Sequence, residues 1–236
     1  MQVSDTGQWR ALVVGANRGL GLGLTEAMLR MGWTVIGTSR KGTDGRALHA
    51  LSDEYPGVLV LEHLDLGNPA DLDEFATKVS GPPLDLVIFN GATPGPVHRS
   101  VTAVTLEECG QLFFVNSLGP VRLAHLLVDK VLPEQGVFAF ISSVQGSVER
   151  NQNGANALYR ASKAALNSLS RSFFMSTGSR FAVLSLHPGW VKTSIGGADA
   201  TVEIEDSATG LLEVIRHHRG DHAHRYLDYL GATIPW

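Results

Sequence analysis

The feature that most constrains this chain is a series of short, nearly continuous apolar runs separated by longer segments of helical periodicity. RALVV (10–14), TVIGTS (34–39), VLVL (58–61), LDLVIF (84–89), VFAFIS (137–142) and FAVLSL (181–186) read as strands. Their Val, Ile, Leu and Phe do not alternate with polar residues, as expected of strands covered on both faces in a parallel sheet. Segments 20–31, 69–79, 105–129 and 155–176 read as helices. Two of these carry start signals: Asn68 and Pro69 fit the N-cap and first-turn positions, and Thr105 with Glu108 forms a T-x-x-E capping box. Strand and helix in strict alternation require βαβ units, hence a doubly wound α/β fold with helices on both faces of a parallel sheet.

With 236 residues, 44% of them hydrophobic, a single domain spanning 1–236 is expected. The net charge of -4 and pI near 6.1 supply no basic field, so nucleic acid and anionic membrane surfaces are not expected partners. Cys109 is the only cysteine, which excludes an internal disulfide, and MQVSDTGQWR lacks the apolar core of a signal peptide. No apolar run approaches the length of a membrane span, and a cytoplasmic location is expected.

After the first strand comes GANRGLGLGL, in which Gly15, Gly19 and Gly21 follow the spacing G-x-x-x-G-x-G. Glycines at a strand-to-helix junction allow a tight turn and let backbone N–H groups approach a pyrophosphate at the positive end of the helix. The alternative is a glycine-rich turn without a ligand. An NAD site would place a carboxylate about 20 residues on, but the second strand ends in Ser39, Arg40 and Lys41. Arg40, with Arg18 in the turn, supplies cations suited to a 2'-phosphate, so NADP(H) is expected over NAD(H). The competing reading is two solvated arginines.

In LYRASKAALNSL (158–169), Tyr159 and Lys163 lie four residues apart, so a helix brings a phenol and an ammonium to one face. Alone, such a pair is more often one packed aromatic and one solvated cation. HHRGDHAH (217–224) offers His and Asp but no Cys and no regular helical pair, and reads as a solvated polar loop, with no metal site expected. Cys109 reads as a small core residue.

Together these features resemble the short-chain dehydrogenase/reductase family in its single-domain branch. The resemblance rests on Gly15-x-x-x-Gly19-x-Gly21, Asp65 after the third strand, Asn90-Gly91-Ala92 after the fourth, Asn116 in the next helix, Ser143 at the end of the fifth strand, Tyr159-x-x-x-Lys163, and Pro188-Gly189 after the sixth. GANRGLG, YRASKAALN, HPGWVKT and the terminal IPW are similar to C-factor-like and carbonyl-reductase-like members. FNGA stands where many members have NNAG.

The resemblance implies a Rossmann-type, NAD(P)-binding domain and reduction of a ketone or aldehyde. It assigns Tyr159 as acid/base, Lys163 as the cation that lowers the phenol's pKa and holds the nicotinamide ribose, Ser143 as a donor to the substrate oxygen, and Asn116 as holder of a water connecting Lys163 to solvent. It implies cofactor contacts from Gly15, Asn17, Arg18, Gly19, Leu20, Gly21, Ser39, Arg40, Asp65, Leu66, Asn90, Gly91, Ala92, Tyr159, Lys163, Pro188, Gly189, Val191 and Thr193. Substrate loops are expected at about 93–100, 144–156 and 190–206, with Gln145, Asn151, Asn153 and Trp190 as lining residues. The segment 192–206, with Gly196-Gly197, reads as a lid or as an ordinary loop. A homodimer or homotetramer is expected, with Leu158, Leu166, Leu169, Phe173 and Phe174 divided between core and interface. The rival function is a cofactor-binding sensor or signalling protein with little turnover. A sugar-nucleotide epimerase would need a substrate domain for which the length leaves no room.

Overall fold

Seven strands, all parallel to their neighbours, form one sheet in the order β3-β2-β1-β4-β5-β6-β7 in a computed structural model that describes residues 8–236. Residues 1–7, most of the stretch expected to lack a leader's apolar core, lie outside the described residues. The strands are β1 Arg10–Val14, β2 Thr34–Ser39, β3 Leu59–His63, β4 Leu86–Phe89, β5 Val137–Ile141, β6 Ala182–His187 and β7 His224–Asp228. The helices are α1 Gly19–Arg30, α2 Arg46–Glu54, α3 Pro69–Lys78, α4 Leu106–Phe113, α5 Gly119–Leu127, α6 Ala157–Ser176 and α7 Ile204–His217. Strand order reverses between β1 and β4, and the crevice at their carboxyl ends is where ligands bind in this architecture.

The continuous apolar runs follow from burial on both faces. In β1, Ala11 and Val13 join one core cluster with α1 and α7 residues such as Leu24, Met28 and Leu211, while Leu12 and Val14 join a second with Phe75, Leu123 and Phe173 from α3, α5 and α6. β5 divides the same way, Val137 and Ala139 to one side, Phe138 and Phe140 to the other. Both sequence-read caps form: Asn68 accepts from Ala70 N, and Thr105 and Glu108 bond each other's backbone N–H groups.

The structure departs from the sequence reading in several places. The seventh strand, β7, and helices α2 and α7 were not anticipated. β7 reads HRYLD because it is an edge strand, held by its ladder to β6 with only part of its side chains in the core. The supposed solvated loop 217–224 therefore includes the end of α7 and buried His224. The segment expected as one helix over 105–129 is interrupted by a π-helical turn, Phe114–Leu118. Leu166, Phe173 and Phe174 are core residues, and Leu169 is partly buried and packs against the core. Cys109 is half-buried rather than a core residue. Among the described residues no helix is long and apolar enough to cross a membrane.

Candidate active site

A cleft of about 910 Å³ opens over the carboxyl ends of the strands and receives residues from almost every strand-to-helix loop. Its floor at one end is the β1–α1 turn. Gly15 and Gly19 have φ of 85° and 54°, a left-handed conformation that side chains disfavour. A Cβ on Gly21 would lie 2.0 Å from the Gly15 carbonyl oxygen and 2.6 Å from Asn90 Nδ2. Asn90 donates to that same oxygen at 2.9 Å, and Gly15 N donates to Thr38 Oγ1 at 3.1 Å. The turn is thus pinned from two neighbouring strands, β2 and β4. α1 begins without a side-chain cap and without an acidic residue in its first turn, which leaves its N–H groups and positive dipole end available to an anion.

Gly15, Asn17, Arg18, Gly19, Leu20, Ser39, Arg40, Asp65, Leu66, Asn90, Gly91, Ala92, Ser143, Tyr159, Lys163, Pro188, Gly189, Val191 and Thr193 all line the cleft, as do Gln145 and Trp190. Gly21 does not; it lies beneath the turn, where its missing Cβ permits close packing. Asn116 does not either. It is 1% exposed, and its side chain holds Thr93 through both the N–H and the carbonyl, at 2.8 Å each, and donates to Ser162 Oγ at 3.1 Å. Asn151 and Asn153 are also away from the wall: their side-chain oxygens accept from Gly154 N and Ala155 N in the turn before α6.

The sequence reading missed Thr43, Asp44, Gln111, Val115 and His187 in the wall. Asp44 is a carboxylate near the Arg40 end of the cleft, but Arg46 holds both its oxygens, at 3.0 and 2.8 Å, which satisfies that charge locally. His187 is pushed down to about 4 by burial, and its Nδ1 lacks a hydrogen-bond partner, so it is neutral at pH 7.

On α6, Lys163 is 2% exposed and donates from Nζ to the Ile141 carbonyl at 2.8 Å. Burial lowers its pKa to about 8. Tyr159 is pushed up to about 12, first by burial and then by the neighbouring Tyr226. The cation was expected to lower the phenol's pKa; here desolvation dominates, and the phenol is held as the neutral acid. Ser143 caps a short 3₁₀ turn, Val144–Gly146, its Oγ accepting from Gln145 N at 3.2 Å. That leaves the hydroxyl proton free to be donated elsewhere.

The segment 190–202 leaves and rejoins the fold at a pinched neck. Thr201 N and Val202 N both donate to the Trp190 carbonyl, Lys192 N donates to Val202 O, and Val191 bridges Val202. Inside the loop, Trp190 Nε1 donates to Gly196 O at 2.8 Å, while Thr193 faces Gly19 across the cleft.

Glycine turn, Tyr159–Lys163 pair and strand-end serine therefore share one cleft on a doubly wound sheet. The sequence model of the short chain dehydrogenase family matches residues 10–202. The chain belongs to that family. This short-chain dehydrogenase is an oxidoreductase by family, and it is 38% identical over 168 residues to the C-signal protein of Myxococcus xanthus, a match covering 69% of this chain and 98% of that one. It superposes on a Burkholderia multivorans short-chain dehydrogenase/reductase-type structure with bound NADP at a TM-score of 0.91, 37% identity, and coverage of 98% and 100%. A carbonyl reductase of Pseudomonas aeruginosa in complex with NADP gives 0.87 at 35% identity, with the same coverage of both chains.

Proposed function

We propose that this short-chain dehydrogenase uses NADPH to reduce a ketone or aldehyde, with Tyr159 as the proton donor. The observation that carries the reading is the pair on α6, a half-buried phenol held neutral near 12 beside a buried lysine lowered to about 8, in the same cleft as the glycine turn. The residues fit a dinucleotide: Gly15 and Gly21 leave no room for a Cβ, the α1 N-terminus is uncapped, and Arg18 and Arg40 bring cations to the wall where a 2'-phosphate would lie. The NADP carried by the Burkholderia and Pseudomonas structures supports the same choice.

When bound, the nicotinamide supplies hydride to the carbonyl carbon. Tyr159 transfers its phenolic proton to the carbonyl oxygen, and Ser143, its hydroxyl proton free, donates to that oxygen as negative charge develops. The phenolate left behind takes a proton readily, because Lys163 near 8 is the stronger acid of the two. Asn116 acts on the wall, tying Thr93 to α6 through Ser162. We expect assembly as a homodimer or homotetramer, through surfaces other than the core residues of α6.

The likeness to C-signal supports a second reading, a cofactor-binding sensor or signalling protein with little turnover. NADPH oxidation across a panel of aldehydes, ketones and quinones, with NADH and Tyr159→Phe run beside it, separates the two. Turnover that prefers NADPH and vanishes in the variant is the expected result; NADPH binding with no turnover on any member favours the sensor.

A further inference from the structure

The face of α6 that carries Tyr159 and Lys163 continues as a polar seam: Asn167 follows one turn later and Ser170 about a turn after that. Both are buried, at 4% and 0% exposure. A buried amide needs partners, and those of Asn167 converge on the loop that holds Ser143. Its Oδ1 accepts from Ser142 Oγ at 2.7 Å, and its Nδ2 donates to the Gly146 carbonyl at 3.4 Å. At the centre of this cluster stands Tyr226, which reaches in from β7. Its hydroxyl donates to the Ser143 carbonyl oxygen and lies beside the Asn167 and Ser142 side chains.

We propose that Tyr226 is a positioning residue, whose hydroxyl fixes the backbone at Ser143 and so aims the serine hydroxyl into the cleft. The inference rests on the reductase reading of the cleft for its catalytic consequence. Three observations carry it. Tyr226 is 2% exposed, so its hydroxyl has these partners rather than water. The loop it grips is packed directly on the catalytic helix, since a Cβ on Gly146 would come within 3.1 Å of Lys163 backbone and side-chain atoms and 3.0 Å of Asn167 Nδ2. The far end of the loop is tied to the same ring: Tyr226 packs on Trp236 with centroids 5.1 Å apart, and the Trp236 backbone oxygen accepts from Glu149 N at 3.3 Å and Ser147 Oγ at 3.4 Å. Ser143 is thereby held by β7 as well as by its own strand. Burial pushes Tyr226 up to about 12, which keeps it a donor through the working pH range.

Tyr226→Phe tests this, because it keeps the ring against Trp236 and removes only the hydroxyl, a loss small enough for the fold to survive. Hydrogen exchange of peptides spanning 142–147 should quicken about tenfold, the worth of one buried hydrogen bond, with exchange elsewhere, Tm and NADPH affinity nearly unchanged. With an active substrate in hand, kcat should fall about tenfold or more while KM moves little. Unchanged exchange at 142–147 overturns the proposal, as does faster exchange with an unaltered kcat. Exchange that rises throughout the chain with a lower Tm also overturns it, showing a packing role only. If the wild-type chain turns over no carbonyl, the reductase reading fails, and the exchange result alone decides whether Tyr226 fixes the loop. An Asn167→Ser variant, which removes a second grip and leaves Tyr226 in place, should loosen the same peptides.

Discussion

The Lys163 ammonium lies 5.8 Å from the centre of the Tyr159 ring while donating to the Ile141 carbonyl, so the cation stands beside the phenol's π-system and is anchored to the end of β5. That geometry fixes the position of the cation relative to the phenol through the sheet itself.

Tyr159→Phe should keep NADPH binding and lower turnover by about 10²–10⁴-fold, the usual worth of a general acid. Fluorescence titration with NADPH and steady-state rates, measured on one preparation, check both halves; turnover equal to wild type would remove Tyr159 from the chemistry.

Lys163 sets a pH limit. Its pKa is lowered to about 8 while Tyr159 stays protonated to about 12, so the active protonation state exists below pH 8 and is lost as Lys163 deprotonates above it. The kcat/KM for NADPH, which reports groups of the free enzyme, should be flat below pH 8 and decline about tenfold per pH unit above it. A profile flat to pH 10 would exclude Lys163 as the controlling group.

Arg40→Asp should weaken NADPH by about 10–100-fold, as expected for the loss of a charge-assisted bond, and leave NADH nearly unchanged. Equal weakening of the two cofactors would show that Arg40 does not meet the 2'-phosphate.

Gly21→Ala and Gly110→Ala should part company. The first drives a Cβ to 2.0 Å from the Gly15 carbonyl; the second, in α4, meets nothing within 4 Å. Overpacking should cost the first about 1–3 kcal/mol and its NADPH affinity, whereas the second should gain about 0.5–1 kcal/mol from helix propensity. Urea unfolding with and without NADPH measures both.

His187 and His224 predict acid sensitivity. His187 and His224 are held near 4 by desolvation against an ordinary value of 6.5, so below pH 6.5 the unfolded chain binds protons that the folded chain does not. Stability is full above pH 6.5 and falls as the pH drops toward 4, by up to about 1.4 kcal/mol per pH unit per histidine. His224→Asn, which keeps a polar partner for Ser170 and Ser185, should halve that dependence in a series of unfolding curves between pH 7.5 and 4.5.

Six of the seven strands, the glycine turn and the Tyr159–Lys163 pair were legible because each is written locally, in a run of apolar residues or a fixed spacing. β7 was not, since HRYLD has the composition of a turn and becomes a strand only by pairing with β6. The π-helical turn at 114–118 has no local signature: FFVNSL is apolar enough for either period, and tertiary contact at Asn116 and Ser117 selects the wider one. Asp44 shows the opposite failure, a carboxylate near the cofactor end whose meaning depends on Arg46 two residues later. Tyr226 meets Ser143 across 83 residues of sequence, a distance at which spacing carries no information.

The pinched neck of the 190–202 loop has a consequence in chain entropy. Joining the ends of a loop is unfavourable in proportion to the conformations it removes, and here folding has already joined them through Trp190, Lys192 and Val202. A substrate that closes on the loop would meet a segment already joined at its ends and tied within by Trp190 to Gly196. More of the contact energy would then be left to distinguish one substrate from another, and exchanging residues of this loop becomes a way to change selectivity without rebuilding the sheet beneath.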